Sequence, residues 1–277
     1  MGCGAGAPHE IERRINVTLT RIFLLAAFSA AFVAPAFAQA QKETSTYAPQ
    51  SGQEGKDVVW VPTPQVVVDK MLDMARVGPR DYVMDLGSGD GRTVITAAKR
   101  GARALGVEYN PDMVELSKRN AEKEGVAGKA AFIKADLFET DFSRASVITM
   151  FLLPEINVRL RPKILALKPG TRIVSNTFTM GDWQADETAT LSPDAGCNTS
   201  WCTALLWIVP ARVAGTHTLP QGELVLKQQY QMLSGTLHTG GKTFVVEGGK
   251  VRGEEVRFSA GGKTYRGKMN GKALELR

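Results

Sequence analysis

The sequence predicts an α/β fold in which a doubly wound, mostly parallel seven-strand sheet precedes a small C-terminal antiparallel β meander. Three observations carry this. From Val58 to about Phe178, short apolar runs alternate with stretches that repeat apolar residues at helical spacing, the pattern of βαβ units. A glycine-rich turn, Gly87-Ser88-Gly89-Asp90-Gly91, directly follows the first clear apolar run. The end of the chain instead alternates polar and apolar residues between glycine pairs, as hairpin-linked strands do. With 277 residues, 43% hydrophobic and 22% charged, the chain suits one sizeable domain plus an extension or a second domain, and it lacks the composition of a disordered protein.

Each element has a local reason. Thr63-Pro64 reads as a helix start, with Thr63 as cap, Pro64 in the first turn, and Val67, Met71 and Ala75 on one face. Residues 82–86 form a short buried strand, and the glycine turn opens a helix over 93–100. Residues 104–107 make a second strand; Asn110-Pro111 begins a helix that Gly125 stops. Three more strands fall at 131–134, 147–152 and 171–174, with a helix between the last two that Pro162 starts or interrupts. Such alternation builds a Rossmann-like sheet covered on both faces, whose last strands fall in residues 186–212. In the tail, 255–258 and 265–269 alternate, Asn270-Gly271 signals a hairpin turn, and Gly240-Gly241, Gly248-Gly249 and Gly261-Gly262 punctuate the rest. The expected boundaries are 57–212 for the α/β domain and 213–277 for the all-β module.

The N-terminus has a different logic. Arg13, Arg14 and Arg21 precede an apolar run over 22–34, and Ala36-Phe37-Ala38 follows. A basic head, a short apolar run and an A-x-A site read as a secretory signal peptide over 1–38. An uncleaved membrane anchor is the alternative; under the positive-inside rule it too places the rest of the chain outside the cytoplasm. The expected location is therefore exported, periplasmic or inner-membrane-associated. Residues 39–56, rich in Gln, Ser, Thr and Gly, read as a flexible leader. Cleavage takes the formal charge from +6 to +5 and removes Cys3. Cys197 and Cys202 remain, either as a small disulfide loop, which an even count in an oxidising compartment fits, or as two unpaired thiols. No metal site is expected, because the cleaved chain has only two His and no second ligand pair near the cysteines. The mild positive charge serves solubility more than nucleic-acid binding. No specific nucleic acid is expected as a partner, and a membrane only through the N-terminal segment.

A glycine loop after the first strand of such a sheet is where ligands bind. Its spacing is G-x-G-x-G, not the G-x-G-x-x-G of dinucleotide sites, and no G-K-[ST] follows. Asp85 and Asp90 would repel a pyrophosphate but suit a ligand with a cationic end, while the helix N-terminus beyond can hold a carboxylate. Glu108, at the end of the second strand, is placed to accept from two ribose hydroxyls. Asp136, at the end of the third, is placed to accept from an adenine amine, although a helix cap explains it equally well.

These residues resemble the class I S-adenosylmethionine-dependent methyltransferases over about residues 58–183. Asp-Leu-Gly-Ser-Gly-Asp-Gly-Arg at 85–92 matches their first motif and Glu108 their ribose-binding acid. More narrowly, Pro62-Thr63-Pro64 and Gly106-Val107-Glu108-Tyr109-Asn110-Pro111 are similar to the seven-strand lysine methyltransferases of the adenine nucleotide translocase and ATP synthase c-subunit type. The resemblance implies S-adenosyl-L-methionine as cofactor, bound by Thr63, Asp85, Gly87, Ser88, Gly89, Asp90, Gly91, Glu108, Tyr109, Asn110, Asp136, Leu137 and Phe151. Thr63 then lies near the methionine end, and residues 151–154 line the methyl-transfer mouth. It also implies a methyl acceptor, either a lysine-type amine on a protein or a small molecule. Phe151-Leu152-Leu153-Pro154-Glu155 is not the N-P-P-Y of enzymes that methylate adenine or glutamine nitrogen, which disfavours those acceptors.

Methyl transfer from a sulfonium is an in-line displacement that asks the protein mainly for alignment and a dry pocket. A base is needed only for a nucleophile that arrives protonated. Glu155 and Asp182 are the candidates, each with an ordinary structural explanation as well. Asn157 and Asn176 are candidates for orienting an amine, and Phe151 and Trp183 for bordering it. A second functional class stays open: an exported envelope-binding module built on this fold, with the β tail as contact surface.

Overall fold

The computed structural model describes Met1, residues 47–271 and residues 273–276. Met1 apart, the expected signal peptide and the first part of the leader lie outside the described residues. Among the described residues no helix is long and apolar enough to cross a membrane.

The α/β part runs α1 (Gln65–Met74), β1 (Tyr82–Leu86), α2 (Arg92–Lys99), β2 (Arg103–Glu108), α3 (Pro111–Lys123), β3 (Ala130–Lys134), β4 (Val147–Met150), α4 (Pro154–Leu165), β5 (Arg172–Asn176), β6 (Glu187–Thr190) and β7 (Thr203–Ile208). Its sheet has the order β3-β2-β1-β4-β5-β7-β6. Strand alternation assigns the layers. Val83 of β1 packs with Val67 of α1, Val94 of α2 and Val114 of α3 on one face. Met84 and Leu86 pack with Leu160 and Ile164 of α4, Phe142 and Trp183 on the other. The central strands are buried on both faces, which is why they read as continuous apolar runs.

The expectation of a mostly parallel sheet is met in part. Strands β1 to β5 pair in parallel with one another, but β7 is antiparallel to both β5 and β6. The cause is the connection: β6 and β7 are joined by residues 191–202, which hold one short 3-10 helix (Pro193–Ala195) and no crossover helix of the kind a parallel return needs.

One local expectation is corrected, one is met and one open alternative is resolved. Thr63 does not cap α1: Pro64 occupies the cap position and no side chain bonds there. Asn110 does cap α3, its side chain accepting from the amides of Asp112 and Met113. Pro154 starts α4, and Pro162 lies inside it.

The tail is larger than the small meander expected. It is an eight-stranded antiparallel sheet: β8 (Gly215–Leu219), β9 (Gly222–Gln229), β10 (Met232–Thr239), β11 (Lys242–Val245), β12 (Glu247–Arg252), β13 (Glu255–Ala260), β14 (Lys263–Asn270) and β15 (Ala273–Leu276). Leu224, Leu237, Val256 and Phe258 centre its own core. The first and last strands approach each other, so the sheet curls toward closure. The tail docks on the α/β part through the turn between β9 and β10. There the Tyr230 ring stacks on Trp183 at 5.8 Å between centroids, and Gln231 donates to the Gln184 carbonyl at 2.7 Å. Lys250 adds an ion pair to Asp186 at 2.9 Å.

Candidate functional site

A cavity of about 1060 Å³, counting its open mouth, lies at the carboxyl ends of β1 to β4. The loop after β1 forms its floor. Val107 of β2 holds that loop down, its carbonyl accepting from the amides of Gly87 at 2.9 Å and Ser88 at 3.1 Å. Two side chains of α3 fix it from behind: Ser117 donates to the Gly89 carbonyl at 2.8 Å, and Asn120 to the Asp90 carbonyl at 2.9 Å. At Gly89, with φ +53°, an added Cβ would stand 2.5 Å from the indole nitrogen of Trp60. The floor is bare backbone because nothing larger fits.

Three carboxylates converge on the cavity. Glu108 accepts from the Gly89 amide on one oxygen and from the Asn110 amide on the other, both at 2.9 Å. Each oxygen keeps a further lone pair for a ligand. Asp85 is 5% exposed. Burial raises its pKa to about 7, and the charges of Glu108 and Asp90 add to the rise against a 2.5 Å hydrogen bond from the Thr149 hydroxyl. A buried acid so poised is stabilised as a carboxylate by a cationic ligand group. Asp136 is ion-paired with Lys56 and accepts from the Phe138 amide at 2.8 Å. Both interactions hold its pKa below the usual carboxylate range.

Twelve of the thirteen expected cofactor residues line this cavity: Thr63, Asp85, Gly87, Ser88, Gly89, Asp90, Glu108, Tyr109, Asn110, Asp136, Leu137 and Phe151. Gly91 does not. It caps α2 in the left-handed region at φ 83°, and its missing side chain makes room for Phe132 and Ser117. Asp90 does not stand as a free charge: the Arg92 guanidinium clasps it, Nη2 at 2.6 Å and Nε at 3.0 Å from its oxygens. Arg92 also donates to the Thr63 carbonyl at 2.9 Å.

Neither expected base is brought into the cavity. Glu155 is exposed in the first turn of α4 and does not line the wall. Asp182 accepts from the Tyr230 hydroxyl at 3.0 Å and from Arg161 at 2.5 Å, and both interactions lower its pKa. It ties α4 to the tail. Trp183 is fully buried between Trp207 and Tyr230, so it does not border a substrate. Asn157 and Asn176 are fully buried too. Asn157 donates to the carbonyls of Phe178 and Thr179, and Asn176 accepts from the Thr177 hydroxyl.

The sequence reading missed what lies over the cavity. Residues 53–63 line it, where the leader was expected to be free through residue 56. Gly52 donates to the Trp60 carbonyl and Trp60 to the Gln53 carbonyl, both at 2.8 Å, so the chain doubles back as a strap. Lys56 reaches Asp136 from this strap, its ammonium 4.8 Å from the centre of the Tyr109 ring. The signal for it is the apolar run Val58-Val59-Trp60-Val61, which follows a polar stretch.

A glycine-floored cavity with one acid at each of three adjacent strand ends is the site of a nucleoside-binding α/β enzyme, and it fits S-adenosyl-L-methionine: a cation for Asp85, ribose hydroxyls for Glu108 and an exocyclic amine for Asp136. Comparison with known proteins gives the class a family. The model of the ANTKMT methyltransferase domain matches residues 85–187. A protein-lysine N-methyltransferase of Saccharolobus islandicus is 48% identical over 133 residues, 47% of this chain and 83% of that protein. A lysine N-methyltransferase of the ATP synthase c-subunit, from Rattus norvegicus, is 34% identical over 171 residues, 61% of this chain and 69% of that protein. The crystal structure of an RNA methyltransferase from Salinibacter ruber, in complex with S-adenosyl-L-homocysteine, is similar at 44% identity and a TM-score of 0.50, covering 55% of this chain and 96% of that one. The chain belongs to the S-adenosylmethionine-dependent protein-lysine methyltransferase family, and S-adenosyl-L-methionine is its cofactor.

Proposed function

We propose that the chain transfers a methyl group from S-adenosyl-L-methionine to the ε-amine of a lysine in an acceptor protein. The observation that carries the cofactor assignment is Glu108, braced by the Gly89 and Asn110 amides at 2.9 Å with lone pairs still facing the cavity. The names of the relatives support the lysine. In this reading Glu108 holds the ribose, Asp136 the adenine amine, Asp85 the ammonium, and Gly87 to Gly89 let backbone approach. The bound cofactor supplies a methyl on a good leaving group. The chain supplies alignment and dryness: Phe151, Leu152 and Ile156 wall the cavity where β4 gives way to α4. The lysine docks as the ammonium and must shed its proton before attack; neither Glu155 nor Asp182 lines the cavity to take it.

The experiment is calorimetric titration of S-adenosyl-L-methionine into the chain from residue 39 onward, with Glu108→Ala as control. Micromolar binding lost in the variant supports the site; no binding by folded protein overturns it. An RNA acceptor is the second reading, favoured by the Salinibacter ruber structure. Tritiated methyl incorporated from a lysate decides: label removed by protease supports lysine, label removed by ribonuclease supports RNA.

We also propose that the chain acts outside the cytoplasm. The basic and apolar N-terminal pattern supports this. So does the Cys197–Cys202 disulfide, since such bonds persist in oxidising compartments. Thiol alkylation before and after reduction, on fractionated cells, tests it: the chain in the cytoplasmic fraction with both thiols free would refute export.

A further inference from the structure

Three aromatic rings cluster together, and one of them stands in the cavity wall. Phe151 lines the cavity wall. Its ring packs on Phe178 and Trp201, and those two pack on each other, with centroids 5.4–5.7 Å apart. All three are half-buried. They come from three separate segments: the end of β4, the residue pair after β5, and the loop before β7.

Two of these segments are held by unusual means. Thr177 has φ 60°, a conformation costly for a β-branched residue. The Phe178 amide donates back to the Asn176 carbonyl at 2.6 Å, which makes Asn176-Thr177-Phe178 the strained form of γ-turn. Buried groups clamp it: Asn157 donates to the carbonyls of Phe178 and Thr179, Ser175 to Phe178 at 2.8 Å, and Thr177 to the Thr203 carbonyl. Strain held so firmly collects at functional positions. Trp201 in turn sits next to Cys202, inside the six-residue loop closed by the Cys197–Cys202 disulfide. Both cysteines are buried in the core, so the loop is pinned at each end.

We infer that Phe151, Phe178 and Trp201 form a wall that receives the acceptor's cationic amine, with the Cys197–Cys202 bond fixing the Trp201 face of it. This rests on the methyltransferase reading of the cavity and deepens it to the acceptor. The rings are in mutual contact and leave no slot between them for a flat base. Their outer faces attract an ammonium through the ring quadrupole, and the lysine stem packs along them. Transfer moves the positive charge from the sulfonium to the nitrogen, giving a methylammonium directly, so the same wall holds methylated product. Phe178 and Trp201 lie at positions the sequence motifs do not reach, and Trp201 is outside the segment matched by the family model.

The test uses the chain saturated with S-adenosyl-L-homocysteine, which separately reports whether the cofactor site exists. Nε-trimethyllysine is then titrated by calorimetry, beside its neutral isostere with carbon in place of the ammonium nitrogen. Saturable binding of the cation is expected, weakened about tenfold in Trp201→Leu, in Phe178→Leu and in the Cys197→Ala/Cys202→Ala double variant, with homocysteine-cofactor affinity within about twofold of wild type. Equal binding of cation and isostere overturns the inference, as does cation binding that all three variants retain. Preference for uridine or adenosine over the cation also overturns it and points to a nucleic-acid acceptor.

Discussion

Lys56 ion-pairs with Asp136 across 80 residues of sequence, bringing the strap's cation onto the carboxylate assigned to the adenine amine. The two interactions compete for one oxygen pair. Lys56→Met should therefore raise cofactor affinity, within about fivefold because the pair is solvent-screened. The gain should shrink as salt rises. Stopped-flow titration in low and high salt reads both effects; weaker binding in the variant would show that Lys56 supports the cofactor instead.

Asp85 gives a pH signature. Its folded pKa of about 7 lies above its ordinary 3.8. The protonated form thus adds stability that is fully present below pH 3.8 and is lost as pH rises through 7, worth about 4 kcal/mol across that window. Asp85→Asn should be more stable than wild type at pH 8, with the difference vanishing near pH 4, while cofactor affinity falls at least tenfold. Thermal melts of the cofactor-free protein at the two pH values check the sign. Cofactor binding near pH 7 should also release protons, visible as calorimetric enthalpies that differ between buffers.

Gly89→Ala places a methyl against Trp60 in a backbone region that disfavours it. Cofactor binding should drop about tenfold or more, and trimming the indole in Gly89→Ala/Trp60→Ala should recover part of that loss. No recovery would mean that backbone conformation alone sets the cost.

Asp182 bonds the tail's Tyr230 and Arg161 of α4 and does not line the cavity. Asp182→Asn keeps a partner for Tyr230 and Arg161 and should leave kcat within about twofold while lowering the melting temperature slightly. Trp183→Ala, by contrast, empties a fully buried site and should cost about 3–5 kcal/mol of stability. If water takes the acceptor's proton, kcat/KM should climb tenfold per pH unit below the acceptor lysine's own pKa; an earlier plateau would point to a base on the protein.

The α/β part was legible because its signals are local. Apolar runs mark β1 to β5, Asn110-Pro111 marks a helix start, and an acid at each strand end marks the cavity. Where the reading stopped, the determinant was tertiary. Nothing in residues 53–63 says that they fold back over the glycine loop; Lys56 acquires a role only because Asp136 lies opposite. Asp182 beside Trp183 reads as a candidate base, and only the tail's Tyr230, from 48 residues on, shows what it binds. The spacing of Cys197 and Cys202 allowed a disulfide but could not choose it.

The tail's curled sheet also bears on how the chain comes together. Nearly every strand from β8 to β15 pairs with its immediate successor, β11 being the flap left off the path. Low contact order of this kind allows assembly hairpin by hairpin on the microsecond scale, and only the approach of β8 to β15 must span the whole module. The α/β sheet has no such route: its central β1 must wait for β4, more than sixty residues later. Although it is made last, the tail can be complete before the older part of the chain has settled, leaving Tyr230 ready for Trp183 to close against.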